Sequence, residues 1–185
     1  MTHSLLPAGA IVLIATLCGC ASGAKTERVR GDDFTFVANE AAAKLGASSF
    51  LSERSAQSPR AAVTTRRAEV IARNLQLTEA ERWFLVDRVG ASLPAGALRE
   101  RNMAFVIPEE SARAMAARDP LNAFPPDRRP THVLSMTIRS AKRSGGESHS
   151  ALYLFEYKIT ALPSGEQVWS DIVEYKREAV GRTFD

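Results

Sequence analysis

The chain has few cysteines, few aromatic residues and no strong excess of charge of either sign. Its 185 residues include two cysteines, Cys18 and Cys20, and aromatic residues make up 7%. Because no cysteine follows position 20, the body of the chain has neither a disulfide framework nor a thiol-based zinc site. The net charge of +3 is too small to indicate nucleic-acid binding. The 45% hydrophobic and 24% charged residues exclude collagen-like, disordered and multi-span membrane classes.

The longest apolar run lies at the N-terminus and is too short to span a membrane. Residues 5–17 are almost all apolar, whereas a spanning helix needs about 20 residues. The run matches the apolar core of a secretory signal. It ends in Leu17-Cys18-Gly19-Cys20, which resembles a bacterial lipobox. We therefore predict a lipoprotein signal peptide over residues 1–19 and lipidation at Cys20, with a plain signal peptide or a buried apolar helix as the alternative.

A lipidated cysteine holds a protein at a membrane without a spanning helix. Acyl chains contribute about 0.8 kcal/mol per buried methylene. By resemblance to lipoprotein sorting rules, Ala21 implies delivery to the outer membrane, with the protein facing the periplasm. We expect a lipidated tether over residues 20–33, of which the polar residues 22–33 span at most about 40 Å. Residues 34–185 are predicted to form a single domain.

Hydrophobic periodicity predicts a mixture of helices and strands up to residue 130 and strands after it. Thr78 and Glu81 form a capping box at the start of one helix. The order of elements predicts an α+β fold, in which helices pack on a mixed four- to five-stranded sheet that ends in a C-terminal antiparallel β-meander. Helices are predicted at 34–51, 79–93, 94–102 and 108–119. Strands are predicted at 62–74, 103–107, 131–140, 151–162 and 167–176, with a turn at 142–148.

No pattern in the chain indicates catalysis, a metal or a cofactor. His132 and His149 do not have the spacing of metal ligands. There is no Gly-x-Ser-x-Gly elbow, phosphate loop or dinucleotide fingerprint. Glu109 and Glu110 are better explained by the dipole of the helix that they begin than by acid–base chemistry. We therefore predict a protein that is not an enzyme and needs no cofactor, and we assign no catalytic residue and no metal ligand.

A group of arginines is the first feature that can support binding. Arg66, Arg67 and Arg73, together with Arg60, make the predicted strand at 62–74 unusually basic. One interpretation is a sheet edge that its charges protect from aggregation. The other is a binding site for an anionic partner, which is an acidic protein surface, lipid headgroups or a wall polymer.

An aromatic ladder is the second feature. Tyr153, Phe155 and Tyr157 alternate along one predicted strand, and Trp169 and Tyr175 follow on the next. We expect most of these rings in the core. Any that lie on an exposed face favour protein binding.

The C-terminal hairpin carries a resemblance to a known family. Residues 162–171 read Leu-Pro-Ser-Gly-Glu-Gln-Val-Trp-Ser-Asp, and a charged segment follows at 174–177. Upstream, Arg73-Asn74 and Thr78 precede a helix, and residues 130–135 begin a strand. These segments resemble the LpoB family of outer-membrane lipoproteins, which activate bifunctional penicillin-binding proteins. The resemblance covers roughly residues 34–182.

The resemblance implies a TolB-N-like fold and a non-catalytic accessory role. The implied partner is a protein in the periplasm, with a peptidoglycan synthase (penicillin-binding protein) as the candidate, and nucleic acid is not involved. The alternative is a structural or assembly lipoprotein of an envelope secretion or surface complex, as among curli-secretion relatives. The sequence leaves the oligomeric state open. The implied fold-motif residues are Asn74, Thr78, Gly165, Trp169, Ser170 and Asp171.

Overall fold

The computed structural model describes residues 29–145 and 148–180. The predicted signal peptide, Cys20 and residues 20–28 of the predicted tether lie outside these ranges. Within them, no helix combines the length and the apolar character that crossing a bilayer requires.

The helices lie mainly in the first half of the chain. They correspond to the predicted helices with changes at their ends. The α-helices in the described ranges are α1 (Gly31–Ala47), α2 (Ser49–Ser52), α3 (Glu79–Ser92), α4 (Ala95–Glu100) and α5 (Arg113–Arg118).

The strands form one mixed sheet. They are β1 (Ala61–Thr65), β2 (Glu69–Val70), β3 (Met103–Val106), β4 (His132–Gly145), β5 (Ser148–Ala161) and β6 (Gln167–Val180). Their order is β3-β1-β4-β5-β6, and β2 also pairs with β4. β1 is parallel to β3 and β4, whereas β4, β5 and β6 are antiparallel. The α+β class and the C-terminal meander are therefore confirmed, with six strands instead of four to five.

The predicted strand at 62–74 is wrong as a single element, because it is interrupted by a bulge. Thr65 lies opposite Leu134 and Val70 lies opposite Ile138. The five steps from Thr65 to Val70 therefore match four steps on β4, so one residue between them has no pairing partner on β4. The segment from Arg66 to Ala68 separates β1 from β2.

The core lies between one face of the sheet and the helices α1 and α3. Tyr153, Phe155, Tyr157 and Ile159 alternate along β5 and are each at most 1% exposed, as the ladder predicts. Burying a large apolar side chain contributes about 1.5–3 kcal/mol. Burial raises the pKa of Tyr157, and its hydroxyl donates to the Leu85 carbonyl at 3.4 Å.

The first predicted helix, at 34–51, starts earlier and breaks before its predicted end. The Arg30 amide donates to the Asp33 carboxylate at 2.7 Å, which closes the first turn of α1. Asp33 is 6% exposed, so the domain includes residues that we expected in the tether. Ser48 is extended, with φ −72° and ψ 154°, and separates α1 from α2.

Other boundaries differ by a few residues. The predicted helix at 108–119 is a 3₁₀ turn (Glu110–Ala112) followed by α5. The predicted turn at 142–148 is too long, because β4 and β5 stay paired as far as Gly145 and Ser148. Hydrogen bonds of the antiparallel ladder satisfy the backbone amides and carbonyls of these polar residues. Hydrophobic periodicity does not predict such an extension, because the residues are not apolar.

Candidate protein-binding surface

The three arginines predicted to bind a partner lie beside the strands and not on them. Arg66 and Arg67 are in the bulge after β1, and Arg73 follows β2. The predicted basic strand is therefore wrong in this respect. All three residues are exposed, and Ile71 between them is 52% exposed. We call Arg66, Arg67, Ile71 and Arg73 the basic ridge.

Backbone hydrogen bonds fasten the basic ridge to the fold. The Arg66 amide donates to the Leu134 carbonyl at 2.8 Å, and the Ile71 amide donates to the Ile138 carbonyl at 2.9 Å. On the other side, Arg82 Nε of α3 donates to the Ala68 carbonyl at 2.8 Å. A segment that is already ordered loses little conformational entropy when it binds a partner.

The charges of the basic ridge are not equivalent. Arg67 Nη1 contacts both carboxylate oxygens of Glu79, at 3.0 and 3.2 Å. This exposed ion pair contributes at most about 1 kcal/mol. For Arg66 and Arg73, the structure describes no ion pair with residues 29–145 or 148–180. Arg66 and Arg73 therefore present positive charge at exposed positions five residues before and two residues after Ile71 in the chain.

Asn74 anchors the end of the basic ridge. The Ser140 hydroxyl on β4 donates to Asn74 Oδ1, and Asn74 Nδ2 donates to the Tyr153 hydroxyl at 3.1 Å. Asn74 therefore joins the ridge to two strands of the meander.

Thr78 begins α3. Glu81 N–H donates to Thr78 Oγ1 at 3.2 Å, and Thr78 N–H donates to Glu81 Oε2 at 2.7 Å. This reciprocal pair satisfies two amides at the helix start, as the capping box predicts.

The hairpin between β5 and β6 contains the other fold-motif residues. Gly165 has φ +77°, a conformation that L side chains rarely adopt. Trp169 is 8% exposed and joins the core. Ser170 is exposed, and its hydroxyl accepts from Gln167 Nε2 at 3.0 Å. Asp171 accepts from Lys44 Nζ on α1 at 2.8 Å. These four residues therefore shape the hairpin and attach it to the helix layer.

The structure also brings together polar residues that the sequence does not single out. Asp87 on α3 accepts from the Thr65 hydroxyl at 2.6 Å, and Arg113 Nη2 lies 3.3 Å from it. The Arg113 guanidinium lies 5.2 Å from the centre of the Trp83 ring. Burial raises the pKa of Asp87, and Thr65 and Arg113 offset part of this effect. The cluster ties α5 to α3 and β1.

A second such cluster joins α1 to β6. Arg177 and the Tyr175 hydroxyl both donate to the Asp33 carboxylate. Burial alone would raise the pKa of Asp33, but these hydrogen bonds and that from the Arg30 amide lower it below its ordinary value. Neither cluster has a sequence signal, because the residues lie far apart in the chain.

The histidines occupy separate positions. His132 Nδ1 lies 2.8 Å from the Thr131 hydroxyl. Burial and the nearby Arg54 lower the pKa of His132, which favours the neutral ring at neutral pH. The side chain of His149 lies outside the described part of the chain. Across the residues that the structure describes, no group of three His, Cys, Asp or Glu side chains can hold a metal ion.

The mixed sheet, with α1 and α3 on one face and a long antiparallel meander at its end, places the chain among α+β domains. The C-terminal domain of LpoB from Salmonella enterica is similar, with a TM-score of 0.45 at 8% identity over 77% of this chain and 98% of that chain. The same domain from Escherichia coli gives 0.44 at 12% identity and the same coverage. Lipoprotein GNA1162 from Neisseria meningitidis gives 0.39 at 10% identity, covering 63% of this chain and 82% of its own.

The similar solved structures therefore include the family whose resemblance the sequence indicates. At these TM-scores the likeness carries no argument about function. No protein-family model matches the chain, and no curated protein matches it in sequence.

Proposed function

We propose that the chain is an outer-membrane lipoprotein, anchored at Cys20, that faces the periplasm. It acts without catalysis, as an accessory factor that binds a peptidoglycan synthase through the basic ridge. The observation that carries the proposal is the ridge itself, which is exposed, basic and fastened to the sheet. The resemblance of residues 162–171 to the LpoB family supports a penicillin-binding protein as the partner.

The chemistry of the basic ridge fits an acidic protein surface. Arg66 and Arg73 can form bidentate hydrogen bonds with carboxylates. Ile71, which lies between them in the chain, supplies apolar area that gains free energy when a partner covers it. Arginine is among the residues that are enriched in binding hot spots. The ridge therefore combines electrostatic attraction with burial.

Site-specific photo-cross-linking in native envelopes tests the proposal. A photoreactive amino acid replaces Gln76, an exposed residue that follows the ridge, in the full chain. We expect adducts with a penicillin-binding protein. Gln57, an exposed glutamine in the loop after α2, is the matched control and should give no such adduct. Adducts at position 76 that contain no wall synthase would overturn the assignment of the partner.

A structural or assembly role is the second candidate. It is favoured by a different surface, the outer edge of β6, where Phe36 and Ile172 are 53% and 45% exposed. Apolar side chains beside a sheet edge are typical of surfaces that bind another chain.

A further inference from the structure

Backbone groups of alternate β6 residues point towards the outer edge of the sheet. In the described part of the chain, β6 has β5 as its only neighbour in the sheet. The Ile172 amide donates to the Asp171 carboxylate at 2.7 Å, so it points away from β5. Alternate residues of a strand direct their backbone groups to the same edge. The amides and carbonyls of Glu174, Lys176 and Glu178 therefore also point outward.

A groove runs along this edge beneath α1. Phe36, Glu40 and Lys44 follow one another at intervals of four residues, so they share one side of the helix. With Ile172 and Glu174 they line a groove of about 450 Å³. An added strand would pair with β6 and cover the apolar side chains at this edge.

We propose that this edge binds a second copy of the chain. The two β6 strands pair antiparallel across a twofold axis that passes through Tyr175. The contact is isologous, so each copy contributes the same residues. This inference rests on β6 and α1, and it holds whether or not the basic ridge binds a synthase.

The charges of β6 select this register, although Lys176 Nζ also lies 2.6 Å from the Glu178 carboxylate of its own strand. With the axis at Tyr175, Glu174 lies opposite Lys176 of the second copy, and the reverse pair forms symmetrically. Directly opposed opposite charges stabilise a strand pair, and like charges destabilise it. An axis at residue 174 opposes Glu174 to itself, and an axis at residue 176 opposes Lys176 to itself. Charges on an edge strand usually prevent pairing. Here the sign alternates along the strand, so two antiparallel copies bring opposite charges face to face.

The position of Phe36 supports the same axis. Its ring centre lies 5.8 Å from that of Tyr175, so an axis through Tyr175 brings the two exposed Phe36 rings towards each other. An axis at residue 177 also opposes Lys176 to Glu178. It lies farther from Phe36, however, and fewer residues of the two β6 strands would then pair. An axis at residue 173 forms no pair of opposite charges. The axis at Tyr175 alone among these satisfies both features.

Isotope-resolved cross-linking of the full chain in detergent tests the proposal. Equal amounts of ¹⁴N- and ¹⁵N-labelled chains are mixed and treated with a carbodiimide, which joins a carboxylate to an amine without a spacer. We expect mixed-isotope peptides that join Glu174 of one copy to Lys176 of the other. Mixed labels distinguish this product from a link within one chain.

Charge reversal provides the internal control. Glu174→Lys opposes two lysines across the axis, and Lys176→Glu opposes two glutamates. Each should weaken dimerisation at least tenfold in sedimentation equilibrium, and the double variant should restore it. Glu166→Lys, in the exposed hairpin turn, changes the net charge by the same amount as Glu174→Lys and should leave dimerisation unchanged.

Three results would overturn the proposal. They are a monomer at all concentrations, mixed-isotope links that omit residues 174–176, and a dimer that Glu174→Lys leaves intact. Synthase capture by the basic ridge is measured separately, so failure here leaves that result unaffected.

Discussion

Asp33 shows how single residues hold this fold together. It lies in the first turn of α1, yet it accepts hydrogen bonds from Tyr175 and Arg177 on β6. A buried carboxylate is stable only when such partners compensate its loss of hydration. Asp33 therefore fixes the start of the domain to the edge strand.

Replacing Asp33 tests this role through its pH dependence. At neutral pH, Asp33→Asn should lower the free energy of unfolding by about 2–3 kcal/mol, because a charge-assisted hydrogen-bond network is lost. The native pKa of Asp33 is lowered, so its contribution is complete above the unfolded pKa of about 3.9. It is lost as the pH falls through the native pKa.

Urea unfolding from pH 7 downward measures the difference between the variant and the wild type. The difference should shrink in acid. Asp32→Asn, at the exposed neighbouring position, should cost at most the ~0.3–1 kcal/mol of a helix-dipole interaction. A gap for Asp33→Asn that widens in acid would contradict the assignment.

At this scale the sequence predicts residues whose role is local. Thr78 caps its helix and Gly165 makes its turn because the reason lies within three or four neighbours. Asp33 and Tyr175 are 142 residues apart, and Thr65 and Asp87 are 22 apart. No periodic pattern connects such partners, so they can be identified only from the three-dimensional structure.

At the scale of elements, the sheet depends on close approach between layers. A Cβ on Gly90 of α3 would lie 2.5 Å from Cγ of Phe105 on β3. Such a contact is far inside van der Waals distance, and it involves the base of the ring. The absence of a side chain at Gly90 therefore lets α3 pack against the edge of the sheet.

Alanine substitutions at two helical glycines test this packing. Gly90→Ala should lower the free energy of unfolding by about 1–3 kcal/mol, because Phe105 must shift. Gly96→Ala, where a Cβ meets nothing within 4 Å, should be neutral or stabilise by up to about 1 kcal/mol. Thermal or urea unfolding compares the two variants. Equal stability of the two would contradict the close contact at Gly90.

The sequence predicts the kinds of element better than their limits. The alternation along β5 is visible because one face of the strand is buried and the other is not. β1 does not alternate, since all five of its residues are buried. The bulge after Thr65 has no marker of its own, and it moves Arg66 and Arg67 off the strand and into the basic ridge.

At the scale of the molecule, the proposed lipid anchor would hold the domain near a membrane. α1 begins at Gly31, so the tether shortens to residues 20–30, which span at most roughly 36–40 Å. With the proposed anchor at Cys20, the start of the domain lies within this distance of the membrane. The α+β class and the meander could be predicted from sequence, whereas the β6 edge depends on strand order.

The lipid anchor has a matched control within the sequence. Cys20→Ser should abolish incorporation of labelled palmitate and release the chain from the outer-membrane fraction. Cys18→Ser should retain palmitate incorporation and the association with the outer membrane, because residue 18 belongs to the predicted signal peptide. Labelling that depends on Cys18 instead of Cys20 would contradict the predicted cleavage site.

The yield of the photo-cross-link from position 76, with and without the ridge charges, decides whether the basic ridge binds a synthase. With Arg66 and Arg73 intact, we expect an adduct with a penicillin-binding protein. Arg66→Glu with Arg73→Glu should reduce its yield at least tenfold, whereas Arg99→Glu with Arg129→Glu, at exposed positions elsewhere, should not. A yield that stays the same after reversal of the ridge charges, or an adduct that contains no synthase, would show that the basic ridge is not the binding site.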